Sequence, residues 1–251
     1  MAAYERVLVE ISGPVGTITL HRPEKRNALD PELCDELLEA LRMLAGADAV
    51  RVICLTGAGK GFCAGADLDV LADKGSALVA AGKDIALAIR GAPKPVLALV
   101  NGAAAGGGAN LALACDYRLA SDRASIGQVF HRLGLTLDWG GSFFLPRLVG
   151  TAKALELTWS ARMVPAAEAL ELGLLDRVVP HERLAAEARA LAELWASYPA
   201  PAARRAKAAV YRSERAALAD ALDLEIADQN ELFATAQARD AIARAQSTRS
   251  R

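Results

Sequence analysis

Apolar and polar residues alternate at the start of the chain as they do along a pleated strand. Arg6-Val-Leu-Val-Glu-Ile11 and Val15-Gly-Thr-Ile-Thr-Leu20 each follow a period of two, and Gly13-Pro14 supplies the turn between them. After the polar loop His21–Asn27 the period changes. Asp30-Pro31-Glu32 reads as a helix start, with Asp30 as N-cap and Pro31 at the first helical position. The apolar face of that helix includes Leu33, Leu37, Leu41 and Leu44. Val50–Thr56 and Pro95–Val100 are apolar runs of strand length, which predicts buried strands, and residues 76–90 between them predict a helix. Further on, Tyr117–Ala120, Ala124–Gln128 and Leu175–Val179 predict short strands. Ser142–Leu148, a segment capped by Thr151, and Pro165–Leu172 stopped by Gly173 predict helices. From His181 the pattern is almost wholly helical, with breaks at Tyr198-Pro199 and near Ser213. Strands and helices alternating to about residue 180, then helices alone, predict an α/β fold with a helical C-terminal extension.

Two glycine-rich stretches interrupt this pattern. Asn101-Gly-Ala-Ala-Ala-Gly-Gly-Gly-Ala-Asn110 lies between a buried strand and a Leu/Ala helix, which puts Gly106, Gly107 and Gly108 at the strand-to-helix turn. Glycines there allow a positive φ and a close approach by another molecule. The first N–H groups of the helix have no internal acceptor and sit at the positive end of its dipole, so the stretch predicts a site for an oxyanion. The second stretch, Gly57-Ala-Gly-Lys-Gly61, superficially resembles a dinucleotide loop. Phe62 stands where a third glycine belongs, and no Gly-Lys-Ser/Thr follows as in a phosphate-binding loop. The stretch reads either as a flexible turn or, more specifically, as a loop whose Cys63-Ala-Gly-Ala66 supplies a second N–H facing the first glycine site, as two donors on one oxyanion would require.

Composition narrows the class. The net charge of −1 gives no electrostatic basis for binding nucleic acid or an anionic membrane. Cys34, Cys54, Cys63 and Cys115 fit neither a disulfide framework nor a zinc pattern, so they are expected to be buried thiols of a cytoplasmic protein. The N-terminal segment lacks the apolar core of a secretion signal, and no apolar run is long enough to span a bilayer. No His/Cys/Asp/Glu grouping has metal-ligand spacing, and neither a metal nor a cofactor is expected.

Four stretches together carry a family resemblance: Ile18-Thr-Leu-His-Arg-Pro-Glu-Lys-Arg-Asn-Ala-Leu29, Val52–Leu68, Val100–Asp116 and Leu145-Pro-Arg-Leu-Val-Gly150. In this order they resemble the enoyl-CoA hydratase/isomerase (crotonase) superfamily. The resemblance implies a ββα spiral core over residues 1–195 and a helical trimerisation segment over residues 196–251. It also implies homotrimers or dimers of trimers, and an acyl-CoA thioester as substrate, coenzyme A being part of that substrate. It identifies the backbone N–H groups of Ala66 and Gly107 as the oxyanion hole. Lys25, Arg26, Ala28, Ala64, Asp67 and Leu68 would lie along the coenzyme A arm, Lys25 and Arg26 toward its phosphates, with Gly106, Asn110 and Phe130 also in the substrate site.

The reaction depends on the acid/base groups around that hole. Hydratases of this superfamily use two glutamates, at the positions that match Asn110 and Phe130 here. Neither residue can transfer a proton at neutral pH. Asp138, in Leu133-Gly-Leu-Thr-Leu-Asp-Trp-Gly-Gly141, is the remaining candidate, although its place before a helix also suits an N-cap. Its spacing resembles that of 1,2-epoxyphenylacetyl-CoA isomerases and some enoyl-CoA isomerases, in which an aspartate shuttles the proton. It also matches the nucleophilic aspartate of a dehalogenase. Isomerisation through Asp138 is the leading expectation. Hydratase-like, thioesterase or dehalogenase activity, and a silent acyl-CoA binder, are the alternatives. The C-terminal Ala238–Gln246 lacks the family's usual ending, which puts recognition of the adenine end in question.

Overall fold

The computed structural model describes residues 4–211 and 215–249. The chain opens with the hairpin β1 (Val7–Ser12) and β2 (Val15–Leu20), followed by α1 (Pro31–Gly46). Asp30 caps α1 by accepting from the Leu33 N–H at 2.8 Å, as the sequence predicts. Next come β3 (Val52–Gly57), β4 (Gly61–Cys63) and α2 (Leu68–Gly91), then β5 (Val96–Val100), β6 (Ala103–Ala105) and α3 (Gly107–Ala114). The third turn of the pattern is β7 (Tyr117–Ser121), β8 (Ser125–Gly127) and α4 (Gly141–Val149). The chain continues through α5 (Thr151–Ser160), β9 (Met163–Pro165), α6 (Ala166–Glu171) and β10 (Arg177–Val179). It ends in four helices: α7 (Leu184–Ser197), α8 (Ala200–Tyr211), α9 (Arg215–Phe233) and α10 (Ala236–Arg249).

Each repeat sends its first strand to one sheet and its second to another. The six-stranded sheet runs β1-β2-β3-β5-β7-β10 and the four-stranded sheet runs β4-β6-β8-β9. Pairing is parallel except for β1 with β2 and β8 with β9. The result is the expected ββα spiral. Its central strands are buried on both faces, which accounts for their unbroken apolar sequence. Val96, Ala98 and Val100 of β5 face the main core, while Leu97 and Leu99 join a second cluster beneath Leu184, Ala188 and Ala192 of α7.

Some elements differ from the sequence reading. α2 begins at Leu68, well before residue 76. Thr151 is the first residue of α5 and Gly150 its N-cap, so the hydroxyl does not cap that helix. β4, β6 and β9 were not foreseen; each has three residues, too few to show a period. The break near Ser213 lies outside the described residues. All four cysteines are buried and unpaired, and burial pushes the Cys54, Cys63 and Cys115 thiols up to about 12. No helix among the described residues is long and apolar enough to cross a membrane.

Candidate active site

The segment between β4 and α2 is held by Leu29, whose N–H donates to the Gly65 carbonyl (2.8 Å) and whose carbonyl accepts from the Asp67 N–H (2.8 Å). In this parallel bridge the intervening Ala66 turns its own N–H to the other side. Gly106 donates to the Gly127 carbonyl at 2.9 Å, and α3 starts at the next residue, so the Gly107 N–H lies in a first helical turn without an intrahelical acceptor. Among the described residues neither the Ala66 nor the Gly107 N–H has a hydrogen-bond partner.

The two segments touch. A Cβ on Gly65, which has φ +84°, would lie 2.7 Å from the Ala105 carbonyl oxygen and 3.6 Å from the Gly107 nitrogen. A Cβ on Gly108 would collide with the Cys63 carbonyl. Glycines are therefore required here because two backbones pass within van der Waals contact.

Ala66 and Gly107 both line a cavity of about 300 Å³. Its walls are apolar, from Leu71, Leu78 and Val79 of α2 to Phe130, Trp139 and Phe233. Asp138 and Arg132 are the only charged side chains among the described residues lining it. Asp138 is 8% exposed. Its Oδ2 accepts from Gln229 Nε2 at 3.0 Å, while Oδ1 has no hydrogen-bond partner among the described residues. Burial pushes this carboxyl up to about 8, the Gln229 hydrogen bond works against that rise, and Glu225 adds to it.

The surrounding loops are braced by buried polar side chains. Arg22 donates to the Ala28 carbonyl (2.6 Å) and to Asp67 Oδ2 (2.8 Å), and also pairs with Asp30 at 3.2 Å. Asn27 donates to the carbonyls of Ala58 and Gly61, both at 2.9 Å. Asn101 donates to Gly59 and Gly61 at 3.1 and 3.2 Å. Asp67 caps α2 by accepting from the Asp69 N–H. Burial raises its carboxyl, but Arg22, the Asp69 N–H and Lys25 outweigh burial and hold it below the usual aspartate value.

A sequence model of the enoyl-CoA hydratase/isomerase family matches residues 10–249. The chain belongs to that family. A Rhizobium meliloti protein named "Probable enoyl-CoA hydratase" is 42% identical, over 96% of this chain and 95% of its own. The Escherichia coli K12 "1,2-epoxyphenylacetyl-CoA isomerase" is 37% identical, over 88% of this chain and 87% of its own. A solved enoyl-CoA hydratase from Mycobacterium avium subsp. paratuberculosis superposes with a TM-score of 0.91 at 30% identity, covering 97% of this chain and 100% of the other.

Within this family member, Ala64, Ala66, Leu68, Gly106, Gly107, Phe130 and Asp138 all lie on the cavity wall. Lys25, Arg26, Ala28, Asp67 and Asn110 do not. Ala28 and Asn110 are fully buried. The Asn110 amide is taken at both ends, donating to the Asp138 carbonyl (2.8 Å) and accepting from Gln128 Nε2 (2.8 Å). It anchors the main chain beside the carboxyl from a fully buried position off the cavity wall. Lys25 is ion-paired with Asp69, and Arg26 is exposed.

Asp138 is not a helix cap. Gly140 holds the N-cap position of α4, and the N–H groups of Gly140 and Ser142 donate to the two carboxylate oxygens of Glu225 at 2.8 and 2.9 Å. Among the described residues no group of three or more His, Cys, Asp or Glu side chains could hold a metal ion.

Sequence reasoning missed Glu225, Gln229 and Phe233. The available signal was on α9, where Leu218, Leu222, Glu225, Gln229 and Leu232 recur at alternating spacings of about four and three, with two polar residues inside an otherwise apolar stripe.

Proposed function

We propose that this acyl-CoA-processing family member is an isomerase in which Asp138 moves a proton between two carbons of an enoyl thioester. The observation that carries the reading is that Asp138 is the only carboxylate among the described residues lining the cavity that Ala66 and Gly107 also line. The two N–H groups would donate to the thioester carbonyl oxygen and stabilise the negative charge that develops there. That acidifies the adjacent C–H bond. Asp138 takes the proton as a carboxylate, the electron pair passes into a dienolate, and the resulting carboxylic acid returns the proton at the far end of the dienolate. No net proton or water is consumed, so one carboxyl suffices. A carboxyl raised to about 8 is close to the working pH, where a group can serve as base and then as acid. The absence of a carboxylate at Asn110 and Phe130 weighs against the two-glutamate addition of water.

Arg26, exposed beside the loop that leads to Ala64, and Arg132, exposed on the cavity wall, are the cations we propose for the coenzyme A phosphates, with Lys25 joining them if it leaves Asp69. We further propose a homotrimer or a dimer of trimers. Support comes from Leu155 and Trp159, one turn apart on α5, which are 41% and 66% exposed.

The test is mass spectrometry of an acyl-CoA panel incubated with the protein in heavy water. Deuterium gained without the mass of water supports the isomerase. Addition of water makes the protein a hydratase, free coenzyme A a thioesterase, and an unchanged panel a binder.

A further inference from the structure

We infer that Gln229 on the C-terminal helix α9 is a positioning residue for Asp138, so that α9 forms part of the active site and not only its cover. The inference rests on the proton-transfer reading given above.

Gln229 is 0% exposed. A buried amide costs free energy unless its donors and acceptor are satisfied, and here they are satisfied in one particular way. Its Oε1 accepts from the Thr136 N–H (3.2 Å), and its Nε2 donates to the Thr136 carbonyl (3.0 Å). Clasping both polar groups of one residue fixes which end of the amide carries nitrogen. The same nitrogen then donates to Asp138 Oδ2 at 3.0 Å. That bond keeps the carboxyl from rotating and leaves Oδ1 as the oxygen without a partner.

Two neighbours on the same face of α9 add to this role. Glu225, four residues earlier, holds the start of α4 just beyond Asp138. Phe233, four residues later, lines the cavity and lies against Gly75 of α2. The charged group acting on Asp138 is Glu225 from α9; Arg132, from the segment preceding Asp138, is the other charged side chain among the described residues on the cavity wall, and α2 and α3 contribute none to it. Since the Gln229 donor favours the ionised carboxyl, its removal makes Asp138 harder to ionise.

The test measures kcat, KM and the pH profile of kcat/KM for Gln229→Met and Gln229→Glu, on whichever acyl-CoA the panel identifies. Gln229→Met keeps the length and loses the donor. It should lower kcat about 10- to 100-fold, change KM little, and move the alkaline-rising midpoint of kcat/KM upward. Gln229→Glu can still accept from Thr136 but faces Asp138 with a carboxyl, and should move the midpoint further in the same direction. Asp138→Asn is measured beside them. An inactive Asp138→Asn together with wild-type kcat and midpoint in a folded Gln229 variant overturns this inference alone. A fully active Asp138→Asn overturns the proton-transfer reading, and this inference with it.

Discussion

Keeping the Asp138 carboxyl in an apolar wall costs the folded protein stability, and that cost depends on pH. Its ordinary value is 3.8 and its folded value about 8. Across that interval the native state holds a proton that the unfolded chain releases. Stability contributed by this group is therefore present below the ordinary value and is lost as pH rises through the folded value. Asp138→Asn, which cannot ionise, should melt at a higher temperature than wild type, with a larger difference at pH 8.5 than at pH 5; calorimetry at both pH values checks this. An equal difference at both would mean that the native carboxyl is already ionised at the lower pH. A site for an oxyanion was legible from the chain, because a strand, a run of glycines and a helix in succession leave free N–H groups there; the choice of Ala66 and Gly107 came from the family resemblance. Asp138 was legible as a candidate by resemblance, but not its freedom from capping, which depends on Glu225 some 85 residues away. The tether on Asn110 was hidden for the same reason. Its partners, Gln128 and the Asp138 carbonyl, come from other elements.

Among the elements, α4 and α9 show how a distant helix can finish another. α4 begins with Gly141 and offers no capping side chain of its own. Glu225 replaces that cap, taking the Gly140 and Ser142 N–H groups and the Ser142 hydroxyl. Glu225→Ala leaves these buried donors without an acceptor and should cost about 1–3 kcal/mol in urea unfolding, with Glu225→Gln recovering part of the loss. A loss of only a few tenths would mean that water serves the donors equally well. The early start of α2 has a comparable cause. Asp67 both caps the helix and pairs with Arg22, so the helix begins where the oxyanion loop ends. The sequence shows the Leu/Val periodicity of its later turns, but the first turn is fixed by a salt bridge to a residue 45 positions earlier. β4 and β6 were invisible for a different reason. Gly-Phe-Cys and Ala-Ala-Ala carry no strand signal, and pairing in the second sheet alone makes them strands.

Taken together, the α/β alternation was legible because its central strands are apolar runs buried on both faces, the spiral followed from the family resemblance, and the course of the C-terminal segment was not legible. That segment was expected to serve trimerisation. α9 and α10 pack on α2, α4 and the Val129–Leu133 turn of their own chain, and α9 lines and closes its own cavity. That packing does not test the trimerisation role; Leu155 and Trp159 are a further exposed apolar pair that other copies could cover. Light scattering should give three or six times the 26.3 kDa chain mass, and Trp159→Glu should shift the population to lower mass. A monomer in the wild type would remove the trimer. The decisive question is whether one carboxyl carries the chemistry, and isotope exchange answers it most directly. In heavy water, with the acyl-CoA found by the panel, the wild-type protein should wash deuterium into the acyl chain. Asp138→Asn should bind that acyl-CoA about as tightly and exchange nothing above the uncatalysed rate. Exchange at the wild-type rate in Asp138→Asn would contradict proton transfer by this residue.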